Sequence, residues 1–373
     1  MKRFKGVAPA ARSVGPTQNE PVTMKHIARH AGVSIGTVSH VINGSAKVGE
    51  DLRLRVLGAI HSLGYQRSEL ARGLRRNQTS IVGMIVPDIT NPFFTAVVRG
   101  AEDIAYQNSY RLMLCNTDND SVKEVAYWQE LRKYRPAGLI LIPSVDSQLE
   151  RVQDDRGLPV VCLDRLPAGW QSDSITADNV NGALAATNHL LRLGHRMIGI
   201  ITGNLRLANA AARLEGFRAA MRKAKIQIEP GYIQEGRFDR LSGDERMRVL
   251  LQLQPRPTAI FASNDMTALG ALEALREAGL RCPEDISLVG FDDLEFSKFV
   301  LPALTTVSQP GYQMGAKGAT LLIKRLQGAV DPPQHLVLPT ELRPRDSTAP
   351  PPSAARRVRA TGKPVRPRTR SAD

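Results

Sequence analysis

Apolar residues recur along this chain in two rhythms. Between Thr23 and Gly44 the rhythm is helical: Ile27, Ala28 and Ala31 share one face at a 3.6-residue period, and Val38, Val41 and Ile42 share another. Two short amphipathic helices are predicted, hinged at Gly32, whose permissive backbone suits the tight turn between crossed helices. Thr23 and Ser34 precede the two runs, where a hydroxyl can take an orphan N–H of each first turn. A further stripe of Leu52, Val56, Ala59, Ile60 and Leu63 predicts a third helix from about Glu50 to Leu63. Glu50 and Asp51 fall in its first turn and Gly64 supplies its stop.

Beyond Ser80 the rhythm changes. Short aliphatic runs (SIVGMIVP, YRLMLCNT, GLILIPS, LPVVCLD) alternate with helical stretches (TAVVRGAEDIAYQN, VAYWQELRKY), and the alternation then restarts. The second series runs through GALAATNHLLRLG, MIGIITG, RLEGFRAAMRKA, TAIFAS, MTALGALEALREAG, ISLVGFD and GAKGATLLIKRLQ. Strands this apolar and β-branched, separated by helices, predict parallel sheets covered on both faces. The double run over about 270 residues predicts two such sheets. Ligands in that architecture bind at the carboxyl ends of strands, in the cleft between lobes. The fold class is therefore multidomain, an all-α helix–turn–helix head followed by a two-lobed α/β body.

Once its apolar face is buried, the second helix presents Ile35, Gly36, Thr37, Ser39 and His40 outward. Small and polar side chains suit a helix lying in a DNA major groove, although any helical corner of an all-α domain has the same geometry. Charge tips the balance. The chain holds 50 basic and 36 acidic residues, a net of +14, unevenly spread. Residues 1–78 carry 13 Lys/Arg against 4 Asp/Glu, residues 349–373 carry 7 against 1, and the remaining 270 carry 30 against 31. A basic head on a neutral body is the electrostatic footprint of a DNA binder, because phosphate contacts supply most non-specific affinity. The basic tail, rich in Pro, Ala, Ser and Arg, has the composition of a disordered end, as do residues 1–22.

Residues 67–78, RSELARGLRRNQ, hold about a turn and a half of helix from Ser68. That is too short to persist alone in water, which predicts helix formation only against DNA or a partner subunit. Cys115, Cys162 and Cys282 follow no metal-ligand spacing, so no metal or cofactor is expected and a reducing compartment is. No apolar run approaches a membrane span and the first residues lack the apolar core of a secretory signal, which predicts a cytoplasmic protein without membrane contact. An enzyme is not expected. There is no G-x-G-x-x-G, GYQMGAKGAT has glycines and a lysine at the wrong spacing for a phosphate loop, and the seven histidines define no nucleophile–base–orienter set. A cytoplasmic ligand-binding protein fits the body but leaves the basic helical head without a role.

The ordered motifs go further. TMKHIARHAGVSIGTVSHVING, LGYQRSELARGL, VPDITNPFF, LDR at 163–165, TADN at 176–179, GHRMIGIITG, ARLEGF, FASND at 261–265, SLVGFDD at 287–293, LPALTTVSQP and LRPRDST follow one another across residues 22–347. Through them the chain resembles the lactose-repressor (LacI/GalR) family of bacterial transcription regulators. That resemblance implies a helix–turn–helix head, a hinge helix and a two-lobed effector domain like a periplasmic sugar-binding protein, in a protein that usually dimerises. It divides the chain into a disordered basic extension (1–22), the DNA-binding head (23–66), the hinge (67–78), the effector-binding and dimerisation domain (79–347) and a disordered basic tail (348–373).

The resemblance also assigns residues. Ile35, Gly36, Thr37, Ser39 and His40 match the recognition helix, and Thr23, Ser34 and Asn43 join them at the DNA. Ser34 and Thr37 are read as phosphate contacts that set register. His40 stands where Arg is more frequent; it offers a base edge one donor or acceptor, whereas Arg reads guanine with two donors. Leu74 matches a hinge leucine that wedges into the minor groove at the operator centre, with Arg75 beside it. Arg67-Ser68 departs from the usual Pro-Asn before the hinge. In the cleft, Asp88, Phe93, Asn209, Arg213, Phe238, Asn264 and Asp292 match effector positions. Aromatic faces, a forked Arg and carboxylates are what sugar hydroxyls require, since each hydroxyl both donates and accepts. Asn264-Asp265 favours a sugar-like effector over a purine; the alternative is a regulator co-repressed by a nucleobase. The implied partners are double-stranded DNA with a near-palindromic operator, a small carbohydrate effector and a second copy of the chain. A tail without an apolar heptad favours a homodimer over a tetramer.

Overall fold

The computed structural model describes residues 22–44, 48–65, 79–149 and 157–352. The hinge segment 67–78 with Leu74 and Arg75, the extension 1–21 and residues 353–373 lie outside the described residues. The described residues form two compact units, one within 1–72 and the other within 73–373.

The first unit is three helices, α1 (Met24–Ala31), α2 (Ile35–Asn43) and α3 (Glu50–Ser62). Its core is the expected apolar set: Ile27, Ala28, Ala31, Val38, Val56 and Ala59 are buried together, with Val41, Ile42, Ile60 and Leu63 packed around them. Gly32 ends α1 at φ 62°, a left-handed conformation that costs a glycine little. Ser34 caps α2, its Oγ accepting the Thr37 N–H at 3.0 Å. The stripe on α3 needs one correction. Leu52 is 38% exposed and outside the core, because the eight- and nine-residue α1 and α2 cover only the middle and last turns of α3.

The second unit contains two six-stranded sheets. The first lobe runs β1 (Ile81–Val86), α4 (Pro92–Gln107), β2 (Arg111–Asn116), α5 (Ser121–Lys133), β3 (Gly138–Leu141), β4 (Val160–Leu163) and β5 (Ser174–Ala177). The second runs α6 (Asn179–Arg192), β6 (Ile198–Thr202), α7 (Ala208–Lys223), β7 (Ile233–Glu235), α8 (Arg240–Gln252), β8 (Ala259–Ala262), α9 (Asp265–Glu277), β9 (Ser287–Asp292), a 3-10 turn (Glu295–Lys298) and β10 (Thr305–Ser308). Then α10 (Gly311–Leu326) and β11 (His335–Leu338) return to the first lobe, and β12 (Glu341–Arg343) to the second. Strand orders are β11-β5-β4-β3-β1-β2 and β12-β10-β9-β8-β6-β7. Every pairing is parallel except β10 with β12. Central strands are buried along their whole length, as expected for sheets covered on both faces. The chain thus passes between lobes three times, after β5, β10 and β11.

The glycine-rich GYQMGAKGAT segment opens α10 and serves packing. A Cβ on Gly315 would lie 1.8 Å from the Val97 carbonyl oxygen, and one on Gly100 2.0 Å from that of Tyr312. The backbones of α4 and α10 therefore meet directly, an approach only glycine allows. The expected start of the disordered tail also moves. Residues up to Pro352 run along the second lobe, where Ala349 O accepts from His195 Nε2 at 2.8 Å and from Ser287 Oγ at 3.0 Å. The Ser347 hydroxyl donates to Leu288 O at 2.6 Å, so hydroxyl and carbonyl groups tie down what composition alone marked as loose.

Candidate effector cavity and nucleic-acid interface

On the head, Ser34, Ile35, Gly36, His40 and Asn43 are exposed, and Thr37 and Ser39 are half-buried. Ile35, 46% exposed, is an apolar side chain left without core contact. The hydroxyls of Ser34 and Thr37 lie 2.9 Å apart, and Asn43 Nδ2 donates to Ser39 Oγ at 3.1 Å. Thr23, exposed at the start of α1, donates its backbone N–H to His26 Nδ1 at 3.3 Å. The expected DNA-facing residues of α2 thus share its solvent-exposed side.

In the body, all seven expected cleft residues line one cavity of about 360 Å³ between the lobes. It lies at the carboxyl ends of strands, as doubly wound sheets dictate. Arg213 on α7 is its buried centre. The guanidinium donates from Nε to Asn179 Oδ1 at 2.8 Å and from Nη1 to Ser263 O at 2.5 Å. It also stacks 3.8 Å from the Phe291 ring centroid and 5.4 Å from that of Phe238, and pairs with Asp292 at 3.7 Å. Gln309 Nε2 donates to Asp292 Oδ1 at 2.6 Å. Phe93 and Phe94 pack edge to face at 5.3 Å on the first-lobe side, behind Asn91, which caps α4. Asp88 Oδ1 holds the loop before them, accepting from the N–H and hydroxyl of Thr90.

Asn264 is committed locally. Its Oδ1 caps α9 by accepting the Thr267 N–H, and its Nδ2 donates to Phe238 O at 2.9 Å, fixing the loop that carries the aromatic ring. Asp265 does not line the cavity. Its carboxylate turns into the second lobe, accepting from Thr306 Oγ1 at 2.6 Å and Leu294 N at 2.8 Å. The expectation that Asn264-Asp265 discriminates sugar from purine therefore loses its carboxylate.

Sequence reasoning missed a pair that the structure places in the wall. Asp164 and Arg165, 2% and 3% exposed, follow directly on β4. Asp164 Oδ2 accepts from Asn209 Nδ2 at 3.0 Å across the cleft, and Arg165 Nη2 donates to Asn119 Oδ1 at 3.0 Å. Asp164 Oδ1 and Arg165 Nε have no partner although both are buried. An unpaired buried acceptor and an unpaired buried donor on successive residues are costly, unless a ligand supplies the complements. The available signal was the apolar run LPVVCL ending abruptly in a charged pair at a strand's carboxyl end. Asp118, Asn119, Arg237, Asp239 and Gln309 complete the lining beyond the expected set.

Five non-glycine lining residues hold positive φ: Asp118 (55°), Asn119 (59°), Asp164 (65°), Phe238 (65°) and Asp292 (120°). Strain gathered at one cavity is a mark of a functional site. Its electrostatics agree. Burial drives the Asp292 carboxyl well above its ordinary range, Asp265 and Asp164 add to the push, and Arg213 opposes it. Burial also lowers the guanidinium pKa values of Arg213 and Arg165, against the pull of neighbouring carboxylates. Arg206 of the second lobe also pairs with Asp146 of the first. Among the described residues no cluster of His, Cys, Asp and Glu is arranged to hold a metal, and no helix is long and apolar enough to cross a membrane.

A basic helix–turn–helix unit on the same chain as a two-lobed α/β unit with a charged, polar cleft defines the class of ligand-responsive DNA-binding regulators. Residues 23–68 match the lacI family of bacterial regulatory proteins, and residues 187–348 match a periplasmic binding protein-like domain. The ribose operon repressor of Escherichia coli (strain K12) is 40% identical over 327 residues, covering 87% of this chain and 99% of that one. The transcriptional repressor PurR of Haemophilus influenzae (strain PittEE) is 40% identical over 306 residues, 82% of this chain and 91% of that one. The chain belongs to the lacI family. Among solved structures, the Lac repressor dimer bound to operator and an anti-inducer superposes with a TM-score of 0.79 at 28% identity, over 88% of this chain and all of that one. A LacI family regulator from Enterococcus faecium with bound ribose gives 0.66 at 34% identity, over 72% of this chain and 99% of that one.

Proposed function

We propose that this chain is a sequence-specific transcriptional repressor that works as a homodimer. Its α2 reads operator bases through Ile35, Gly36, Thr37, Ser39 and His40, with Thr23, Ser34 and Asn43 setting register. Its affinity for DNA is governed by a small carbohydrate enclosed between the lobes. The observation that carries the effector reading is the unsatisfied pair Asp164 Oδ1 and Arg165 Nε. A hydroxylated ligand can donate to the one and accept from the other. Phe93 and Phe94 of the first lobe and Phe238 of the second supply apolar faces for the ring C–H groups, and Arg213 with Asp292 lines the cavity from the second lobe. Similarity to a ribose operon repressor and to a ribose-bound regulator makes a pentose the first sugar to test.

The competing effector is a purine, since relatives named PurR are equally identical. Calorimetric titration of the full-length protein with D-ribose, D-glucose, cellobiose, hypoxanthine and guanine separates the two. Saturable binding of a sugar that changes operator affinity in a band-shift assay supports the reading. Binding of a purine with no sugar bound overturns it. No duplex selected from a random pool, with or without effector, overturns the repressor assignment itself.

A further inference from the structure

The turn between α1 and α2 is held from outside itself. The last carbonyls of a helix lack intrahelical partners. Here the Gly32 and Val33 N–H groups take up those of Ala28 and Arg29, and the carbonyls of Ala31 and Gly32 are met by a side chain from α3. Arg55 Nη2 donates to Ala31 O at 2.5 Å and lies 3.3 Å from Gly32 O. The same nitrogen sits 2.7 Å from where a Cβ on Gly32 would project. The guanidinium therefore occupies the space a side chain at the turn would need. Its neighbour Arg53 differs: it pairs with Glu50 on the helix surface.

Packing holds α2 through Val38, its one fully buried residue, with Val41 and Ile42 partly buried against the same core. The direction in which the chain leaves the turn must supply the rest. We propose that Arg55 is a positioning residue that sets the angle of α2 through the Ala31 and Gly32 carbonyls, and thereby operator selectivity, and that it does not contact phosphate. This rests on α2 being the DNA-reading element. A guanidinium suits the task, since its several donors can serve adjacent carbonyls at once where an ammonium is a point charge.

The test uses the full chain, a duplex enriched from random DNA by the wild type, and a random duplex of equal length, across a salt series. Arg55→Met should weaken binding to the enriched duplex by about 10-fold or more and to the random duplex by less than about 3-fold, leaving both salt slopes unchanged. Equal losses on both duplexes, with the slope reduced by about 0.9, mean a lost phosphate contact and overturn the proposal. Arg55→Lys keeps the charge, so full recovery of operator affinity also overturns it. Should circular dichroism show Arg55→Met unfolded, Gly32→Ala provides a second route by forcing Nη2 aside. Its loss and that of Arg55→Lys should be less than additive in the double variant; additive losses refute the shared turn. A wild type that enriches no sequence removes the DNA-reading premise, whereas a selective wild type with an altered slope in Arg55→Met removes only the role of Arg55.

Discussion

Replacing Asp164 with Asn takes a charge out of the cavity wall while keeping its shape. Asp164 is 2% exposed; Oδ2 accepts from Asn209 at 3.0 Å and Oδ1 is unpaired. An amide at this position can keep its carbonyl toward Asn209, which puts its NH2 where the unpaired Oδ1 stands. A ligand hydroxyl then exchanges an ionised acceptor for a neutral donor. Hydrogen bonds to charged groups are worth about 1.5–3 kcal/mol and neutral ones about 1 kcal/mol. The net loss is then ~0.5–2 kcal/mol, or about 2- to 30-fold in Kd. Stability without ligand should move the other way or hold. A desolvated carboxylate disappears, and with it one source of the charge repulsion that raises the Asp292 pKa. Calorimetric titration with D-ribose and urea denaturation on one preparation measure both quantities. Unchanged sugar affinity refutes the reasoning. So does a stability loss above ~2 kcal/mol, which would mean the carboxylate serves the lobes and not a ligand.

Three further outcomes are expected. His40→Ala should cost about 1–3 kcal/mol on the selected operator and little on random DNA in band-shift titrations; equal losses would show that His40 reads no base. Burial pushes the Asp265 carboxyl from 3.8 up to about 7, so the folded state holds that proton more tightly than the unfolded chain. Its stabilising effect is complete below about pH 3.8 and fades as pH rises toward 7, by up to ~1.4 kcal/mol per pH unit. Asp265→Asn should flatten that decline in urea unfolding between pH 4 and 7, and an unaltered slope would contradict it. Gly315→Ala drives a methyl into the Val97 carbonyl and should cost at least about 1–3 kcal/mol in unfolding free energy; an unchanged Tm would show that α4 and α10 separate easily.

Periodicity alone located α1, α2 and the paired sheets, because their apolar faces are wholly committed to one core. It failed where burial is partial. β11 and β12 are exposed edges, β7 is three residues long, and α8 buries Ser242 and Gly243 in its first turns, with Met247, Leu250 and Leu251 only further along. The seven cleft positions came from resemblance, since nothing in their spacing brings Asp88 near Asp292; only the crossovers do. Adjacent residues also diverge in ways the chain does not advertise: Asn264 faces the cavity and Asp265 faces the core. Arg55 carried no signal either, as one of two arginines on α3, with partner carbonyls 23 and 24 positions earlier.

The three crossings between lobes have a consequence for synthesis. The first lobe receives α10 and β11 only after every element of the second except β12 has left the ribosome. Until then the face of α4 awaiting α10 stands open, with Val97 and Ala101 uncovered. A nascent chain therefore completes its later-made half almost entirely before its earlier-made half can close, against the usual vectorial order. A stop codon placed after β10 strands the first lobe, not the second, without its sealing helix.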